Sequence, residues 1–292
     1  MDRYAAIKFF ANIVRSVREL TMPLWLHFRQ GDVHQPLSGR IDGVTVSLTA
    51  IPSRIGRLWA VIESLMRQTR RPDRIVIALT EEEFPGGMAQ LPDSLTGYVQ
   101  LGVEIVFMPY NLKCHNKYFH ALQQYPDSCV VTVDDDCWYD RNTISRLVSL
   151  HESHPDAVVS NIARVIDPGH FYSYRMWKKP LVAAGPAQSL LALGFGAILY
   201  PPHFAQRCAD AGHDLFDTGL ISRLAPTTDD LWLKAVEMAS GIDVACGGFC
   251  PNPVTVTGSQ KISLRSINKG AENRNDVQWK ALDSHFNLKN II

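Results

Sequence analysis

Short apolar runs separated by amphipathic stretches dominate the first half of the chain. Four runs predict buried strands, at residues 44–51, 74–80, 103–108 and 128–133. Apolar residues at helical spacing predict helices at residues 56–68, 94–101, 116–124 and 141–153. Because strand, helix and strand follow one another so closely, the pattern predicts right-handed parallel β-α-β units in a doubly wound α/β sheet.

The second half is less regular and predicts a mixture of strands and helices. Strands are expected near residues 157–160 and at 194–200, and helices at 229–240 and 276–286. Between them, the aromatic stretch at residues 171–177 has no clear period.

Composition divides the chain into three segments. We expect an N-terminal segment at residues 1–40, a single α/β domain at 41–261, and a C-terminal tail with a helix at 262–292. Basic residues punctuate an apolar set within residues 1–30, which is typical of an amphipathic helix. Such a helix either packs on its own domain or makes a peripheral contact with an anionic membrane surface.

Overall composition narrows the range of partners and compartments. Among 292 residues, lysine plus arginine and aspartate plus glutamate both number 29, so no global field attracts nucleic acid. The six cysteines lack the paired spacing of a zinc site and predict reduced thiols in a cytoplasmic protein. No apolar run approaches the roughly 18 residues of a membrane span, and the N-terminus lacks the apolar core of a signal peptide.

Three consecutive carboxylates, Asp134, Asp135 and Asp136, directly follow the fourth predicted strand. Ligands of open α/β sheets bind beyond the carboxyl ends of the strands, so these acids are expected in the binding crevice. Adjacent carboxylates repel one another, and a divalent cation such as Mg²⁺ or Mn²⁺ would neutralise them and bridge a diphosphate. The alternative is capping of the following helix, for which one aspartate suffices.

Two lysines precede the same strand. Lys113 and Lys117 are four residues apart and would share one helix face if the helix begins early. They are candidates for clamping a diphosphate. The alternative is a pair of ordinary solvated surface lysines.

Glycines and aromatic residues of the second half form a candidate ligand surface. Gly194 and Gly196 would let a ligand approach the backbone, and Phe195 and Trp232 offer aromatic faces that suit the ring of an acceptor sugar. Core packing is the alternative role for the aromatic residues.

Five stretches together resemble glycosyltransferases of the GT-A type, in the large inverting family 2, and particularly bacterial surface-polysaccharide enzymes. They are VSLTAIPSRI (46–55), IESLMRQTRRPDRIVIAL (62–79), VTVDDD (131–136), GFGAILYPP (194–202) and APTTDDLWLKA (225–235). The resemblance implies a GT-A fold, which is a Rossmann-like doubly wound mixed sheet, and a metal-dependent hexosyltransferase.

Carried over position by position, the resemblance also implies roles for residues on the donor side. Those beside the donor nucleotide would be Thr49, Pro52 and Arg54. Asp134 and Asp136 would be the ribose-facing and metal-facing members of a D-x-D motif, and Asp135 could take either role.

On the acceptor side, Asp229 and Asp230 resemble the family's acidic dyad, and Asp230 is favoured as the general base. The family usually has Glu-Asp here, so the Asp-Asp form leaves this assignment open. Displacement at an anomeric carbon needs an acceptor hydroxyl that is deprotonated as it attacks and a leaving diphosphate whose charge is compensated. A helix N-cap is the alternative role of the pair and is compatible with catalysis.

These expectations combine into one predicted function. It is transfer of a hexose from a nucleotide-diphosphate sugar, with UDP-sugars favoured, to a saccharide or lipid-linked acceptor in bacterial surface polysaccharide synthesis. The enzyme is expected to be cytoplasmic and peripheral at the inner face of the plasma membrane. Two alternatives stay open: a nucleotidyltransferase, whose usual Gly-rich signature is absent from AIPSRIGR, and a catalytically silent carbohydrate-binding or scaffold module.

Overall fold

The computed structural model describes residues 35–180, 182–248, 253–256 and 273–292, together with the isolated positions 13, 17 and 21. The predicted amphipathic helix within residues 1–30 therefore lies outside the described residues apart from those three positions. No helix in the described ranges combines the length and the apolar character needed to cross a membrane.

Strands and helices alternate through the first half of the described chain. The strands are β1 (Val44–Leu48), β2 (Arg74–Thr80), β3 (Val103–Met108), β4 (Cys129–Thr132), β5 (Cys137–Trp138), β6 (Val158–Ser160), β7 (Ala163–Val165), β8 (Ala184–Ala187), β9 (Leu190–Ala192), β10 (Ile198–Tyr200), β11 (Val244–Cys246) and β12 (Val254–Thr255). The α-helices are α1 (Pro52–Ile55), α2 (Leu58–Met66), α3 (Asp93–Thr96), α4 (Asn116–Gln124), α5 (Thr143–Ser153), α6 (Phe204–Asp210), α7 (Thr218–Leu224), α8 (Asp229–Ala239) and α9 (Arg274–Phe286). Short 3-10 turns lie at Gly87–Gln90, Val99–Leu101, Lys113–His115, Pro168–His170, Tyr174–Met176, Gly194–Gly196 and Leu288–Asn290.

An eight-stranded mixed sheet organises the domain, in the order β3-β2-β1-β4-β10-β6-β11-β8. β1 pairs in parallel with β2 on one side and with β4 on the other, and β2 pairs in parallel with β3. β10 is antiparallel to both β4 and β6. Because the chain moves outward from β1 to β3 and returns for β4, the carboxyl ends of β1 and β4 flank the switch point where such sheets open a crevice.

Apolar burial on both faces of the sheet explains why the central strands read as continuous hydrophobic runs. Every residue of β1 is buried, as are the last six residues of β2. The helix α4 packs against β1, β2 and β4. On the same side, α9 packs against α8 and contributes Trp279 and Leu282, both fully buried, to the core. The C-terminal helix is thereby part of the packed domain.

The structure confirms the predicted α/β class and most predicted elements. β2, β3 and α4 have the predicted bounds, and β1, β4, α2 and α5 end within three residues of their predicted limits. The helix expected at residues 94–101 is instead divided into α3 and the 3-10 turn Val99–Leu101. The main difference is at residues 194–200, where a continuous strand was expected. Only Ile198–Tyr200 is a strand, because Gly194–Gly196 form a 3-10 turn and Ala197 has a φ of 68° that interrupts extended backbone.

Candidate active site

The acids after the fourth strand lie at the carboxyl end of β4, beside Arg54 and Lys117. Asp134, Asp135 and Asp136, here called the β4 acids, follow directly on the buried end of the strand. The backbone N–H of Asp134 donates a hydrogen bond of 2.8 Å to the hydroxyl oxygen of Tyr139, a buried side chain that fixes the turn. The Asp134 side chain is 31% exposed and Asp135 is 9% exposed, so the three acids meet solvent to different degrees.

Arg54, in the short helix α1 that follows β1, pairs with two of these acids. Its guanidinium lies 2.5 Å from Asp135 Oδ1 and 3.2 Å from Asp136 Oδ2. Pro52 opens the short helix α1 that carries Arg54, a position where its missing N–H costs nothing. Burial raises the pKa of Asp135 to about 7, although the charge of Arg54 opposes that shift.

Thr49, the other residue expected beside the donor, has a structural partner. Its hydroxyl donates a hydrogen bond of 2.6 Å to the carbonyl oxygen of Ala78 and so ties the end of β1 to β2. This contact shapes the loop that presents Arg54.

The helix α8 begins with Asp229 and Asp230, here called the α8 acids, which differ in exposure and in their partners. Asp229 is buried at 7% exposure, whereas Asp230 is partly exposed. Asp230 Oδ1 accepts a hydrogen bond of 3.0 Å from the backbone N–H of Gly194. Thr228 precedes the helix without a side-chain cap, so the helix dipole rather than a cap bond favours acids in this first turn. Burial and the neighbouring charge of Asp229 raise the pKa of Asp230.

Lys117 joins the two acidic groups. Its Nζ lies 2.9 Å from Asp134 Oδ1 and 2.7 Å from Asp229 Oδ2, and its side chain is 7% exposed. Burial by itself would lower the pKa of Lys117, but the charges of Asp134, Asp229 and Asp230 outweigh that effect and raise it. The lysine is therefore charged, and it bridges residues that are 95 positions apart in sequence.

Lys113, in contrast, does not share this environment. It is exposed in the 3-10 turn Lys113–His115 and has a φ of 58°, while Lys117 is buried in α4. The spacing of four does not place the two lysines on one helix face, because α4 begins only at Asn116. A joint clamp of the two lysines is thus not what the described geometry presents.

Gly194 and Gly196 occupy the same turn for different reasons. A Cβ atom at residue 194 would lie 2.6 Å from Lys117 Nζ and 3.0 Å from Asp230 Oδ1, so a larger residue there would displace the ends of these two side chains. A Cβ at residue 196 would instead lie 2.7 Å from the side chain of Ile162. Gly194 borders the acidic cleft, whereas Gly196 is required by packing rather than by the approach of a ligand.

The two aromatic residues predicted to form an acceptor surface, Phe195 and Trp232, differ in burial. Trp232 is fully buried, and its indole N–H donates a hydrogen bond of 3.1 Å to the carbonyl oxygen of Leu215, so it is a core residue and not a cleft contact. Phe195 is partly exposed beside Gly194, and the ammonium of Lys179 lies 4.9 Å from its ring centroid. Tyr174 is also near the cleft, since burial and the charge of Asp230 raise its pKa to about 12.

His115 and Tyr118 contribute to the site through contacts that the sequence analysis did not predict. His115 is fully buried, and its Nε2 donates a hydrogen bond of 2.8 Å to the carbonyl oxygen of Ala225, just before α8. The hydroxyl of Tyr118 then donates to Nδ1, at 3.0 Å. Burial lowers the pKa of His115, which keeps the ring neutral and suited to these two bonds. The ring thereby fixes the approach to the α8 acids.

A divalent cation fits the chemistry of the donor set, although the described residues hold no group of three or more His, Cys, Asp or Glu side chains arranged to bind a metal ion. Mg²⁺ and similar ions need only one or two protein carboxylates when substrate phosphates complete the coordination. Five carboxylates line this cleft, and two cations of the described residues, Arg54 and Lys117, pair with them. The excess negative charge suits a cation, and the exposed face of Asp134 is accessible to one.

Comparisons with known proteins find similarity to glycosyltransferases. A family model described as Glycosyl transferase family 2 matches residues 54–198, just under half of the chain. Among solved structures, the chain is similar to "Mannosyltransferase PcManGT from Pyrobaculum calidifontis in complex with GDP-Man and Mn2+", at 15% sequence identity and a TM-score of 0.49 over 96% of this chain and 81% of that chain. None of the curated proteins matches significantly.

The family match spans α1 to the start of β10 and includes Arg54, Lys117 and the β4 acids. The α/β domain with its large, mostly parallel mixed sheet corresponds to the GT-A glycosyltransferase fold that the sequence predicted. Residues 54–198 thus match a glycosyltransferase family 2 domain, and the match supports glycosyl transfer as the class of reaction.

Proposed function

We propose that this protein transfers a sugar from a nucleotide-diphosphate donor to a saccharide acceptor, with inversion at the anomeric carbon. One observation carries the proposal. Two acidic groups that are far apart in sequence, the β4 acids and the α8 acids, meet at one cleft on opposite sides of Lys117. An inverting transfer needs compensation of the charge on the leaving diphosphate, which a cation held by carboxylates supplies, and a separate carboxylate base for the acceptor hydroxyl.

The donor side of the proposal rests on the β4 acids and Arg54. Asp134 and Asp136 are the residues that would hold Mn²⁺ or Mg²⁺, and such a cation compensates charge on a leaving diphosphate. Arg54 already lies against Asp135 and Asp136 and presents the fixed fork of N–H groups that suits phosphate oxygens. Thr49 and Pro52 support this role indirectly, because they shape the loop and the helix start that place Arg54.

Of the two α8 acids, Asp230 is the better candidate for the general base because of its exposure and its partners. The charge of Asp229 is engaged by Lys117 at 2.7 Å, and its side chain is buried. Asp230 is partly exposed to the cleft and holds its orientation through the Gly194 N–H. The surroundings that raise the pKa of Asp230 also make it a better proton acceptor for a hydroxyl than an ordinary aspartate.

The acceptor side of the cleft is bordered by Gly194 and Phe195, and Tyr174 lies nearby. Partly exposed aromatic rings suit the apolar faces of sugar rings. We extend the proposal to a hexose donor, with UDP-sugars as the first to test, and to a lipid-linked saccharide of a bacterial surface polysaccharide as the acceptor. In this setting the enzyme works in the cytoplasm beside the membrane, with residues 1–30 as the candidate contact.

A donor screen tests the proposal. The full chain is incubated with Mn²⁺ and single nucleotide sugars that carry UDP, GDP, dTDP or CMP, and release of the nucleotide is measured with and without saccharide acceptors. The expected result is cation-dependent release from one class of diphosphate donor, faster when an acceptor is present. NMR of the product then reports the anomeric configuration. No release from any donor would contradict the proposed reaction, and retained configuration would contradict inversion.

A further inference from the structure

We infer that Lys117 is a positioning residue that fixes the α8 acids relative to the β4 acids, rather than a clamp for the donor's diphosphate. The inference rests on the proposed function, because it assigns a role within the same transfer reaction. It replaces the phosphate role that the spacing of Lys113 and Lys117 had suggested.

The contacts of the ammonium support this assignment. Lysine offers three N–H donors, and the Nζ of Lys117 lies within 2.9 Å of one carboxylate oxygen of Asp134 and 2.7 Å of one of Asp229. Gly194 lies directly over the same nitrogen, since a Cβ there would be only 2.6 Å away. The ammonium is therefore surrounded by protein, and its side chain is only 7% exposed.

The position of α4 makes Lys117 a fixed reference point. α4 packs against three strands of the sheet, and its neighbouring residues Asn116 and Tyr118 are buried. A side chain rooted there and paired to Asp229 holds the first turn of α8 against the end of β4. The backbone N–H of Gly194 completes the arrangement by binding Asp230 on the next position of the same helix turn.

The positive charge of Lys117 also stabilises the negative charge of the α8 acids. Asp229 and Asp230 are adjacent, and two neighbouring carboxylates in a mostly buried place cannot both be charged without a counter-charge. Lys117 supplies that counter-charge to Asp229 and leaves the oxygens of Asp230 to Gly194 and the cleft. Loss of the lysine would leave Asp229 buried without its partner and would allow the helix turn that carries the base to shift.

A double-mutant cycle tests the inference. Lys117→Met, Asp229→Asn and the double variant are made in the full chain and compared with the wild type by steady-state transfer kinetics. A shift of the base by about 1 Å is expected to lower kcat about 100-fold in Lys117→Met. The KM for the donor should change by less than about 3-fold, because the lysine does not touch the donor. The double variant should be no slower than Lys117→Met alone, because the Lys117–Asp229 contact is already lost in that single variant.

Three outcomes would overturn the inference. The first is an increase of more than about 30-fold in the Kd for UDP or GDP with Mn²⁺ in Lys117→Met while kcat is kept, which is the result for a phosphate clamp. The second is a double variant whose loss equals the product of the two single losses. The third is Asp229→Asn with wild-type kcat and KM.

Thermal unfolding of the same four proteins keeps the test informative where Lys117→Met folds poorly or where no donor is found. The double variant lacks the stranded carboxylate, so its Tm should exceed that of Lys117→Met. Non-additive Tm changes support the Lys117–Asp229 contact, and additive changes overturn it. If the wild type transfers no sugar although the cycle is non-additive, the proposed function fails while the contact stands.

Discussion

The β4 acids follow the end of a strand, whereas the α8 acids form the first turn of a helix. The exposure and the charged partners of the carboxylates differ between the two positions. At the strand end, the acids differ in exposure. Arg54, in the short helix α1, pairs with Asp135 and Asp136, and Lys117 pairs with Asp134. At the helix start, one acid is buried on Lys117 and the other faces the cleft. In the proposed reaction, the β4 acids therefore bind a cation, whereas the α8 acids supply the base that accepts a proton.

Replacement of the base gives the largest expected effect. Asp230→Asn keeps the size of the side chain and its acceptor for the Gly194 N–H, but it cannot take a proton from a hydroxyl. We expect kcat for transfer to fall about 1,000-fold, within the range that a general base supplies. Transfer assays at saturating donor and acceptor measure the loss. Asp229→Asn should lose less, and an equal loss in both variants would show that the two α8 acids do not differ.

Two neighbouring glycines sharpen the comparison between the cleft and the core. Gly194→Ala would push a methyl group against Lys117 and Asp230, so we expect kcat to fall about 100-fold. Gly196→Ala would push its methyl group against Ile162, and overpacking of this kind costs about 1–3 kcal/mol of stability. Per folded molecule, Gly196→Ala should keep its activity. Chemical denaturation together with kinetics separates the two effects, and reversed results would contradict the placement of the cleft.

Removal of Arg54 tests how the β4 acids are held. Arg54→Gln leaves Asp135 mostly buried beside Asp136 without its counter-charge, and we expect a loss of about 2 kcal/mol in the free energy of unfolding. Asp135→Asn in the same chain should recover part of that loss. Arg57→Gln, at an exposed arginine three residues away, is the matched control. Urea titrations of the four proteins measure the differences, and equal stability of Arg54→Gln and its control would argue against the ion pair.

The smallest effect on catalysis is expected at Trp232, which tests the boundary of the cleft. Trp232→Phe removes the indole N–H and leaves the carbonyl oxygen of Leu215 without that donor, at a cost of about 1–3 kcal/mol. Because the side chain is fully buried away from the cleft, the KM for the acceptor should not change. A raised KM for the acceptor with unchanged stability would contradict the assignment of Trp232 to the core and would support its contact with the acceptor.

The sequence predicted the first half of the fold well because its strands are buried on both faces and its helices carry a clear apolar period. β3 and α4 were predicted at their observed bounds for this reason. The prediction of a strand at residues 194–200 was wrong for residues 194–197. The sequence GFG is apolar enough for a strand, yet it forms a 3-10 turn that ends at Ala197, whose φ is positive. Apolar content cannot distinguish these conformations when the deciding contacts come from elsewhere in the chain.

The same distinction applies to the site. The β4 acids and the α8 acids stood out because clustered carboxylates have few structural uses, and the fold brings both groups to one cleft. The contacts of Lys117 could not be predicted, because they depend on two acids that lie 17 and 112 residues away in sequence. The contact of His115 was not predicted because its partner is a carbonyl oxygen 110 residues away. The contact of Tyr139 is local, but a hydrogen bond to a backbone N–H leaves no mark in the pattern of residues.

The central claim, that the two acidic groups serve different steps in one cleft, is tested most directly by nucleotide binding. Isothermal titration of UDP and of GDP with Mn²⁺ is carried out on the wild type, Asp136→Asn and Asp230→Asn. The account predicts that Asp230→Asn binds the preferred nucleotide as tightly as the wild type, whereas Asp136→Asn binds it at least about 10-fold more weakly. Equal weakening in both variants, or none in Asp136→Asn, would contradict it.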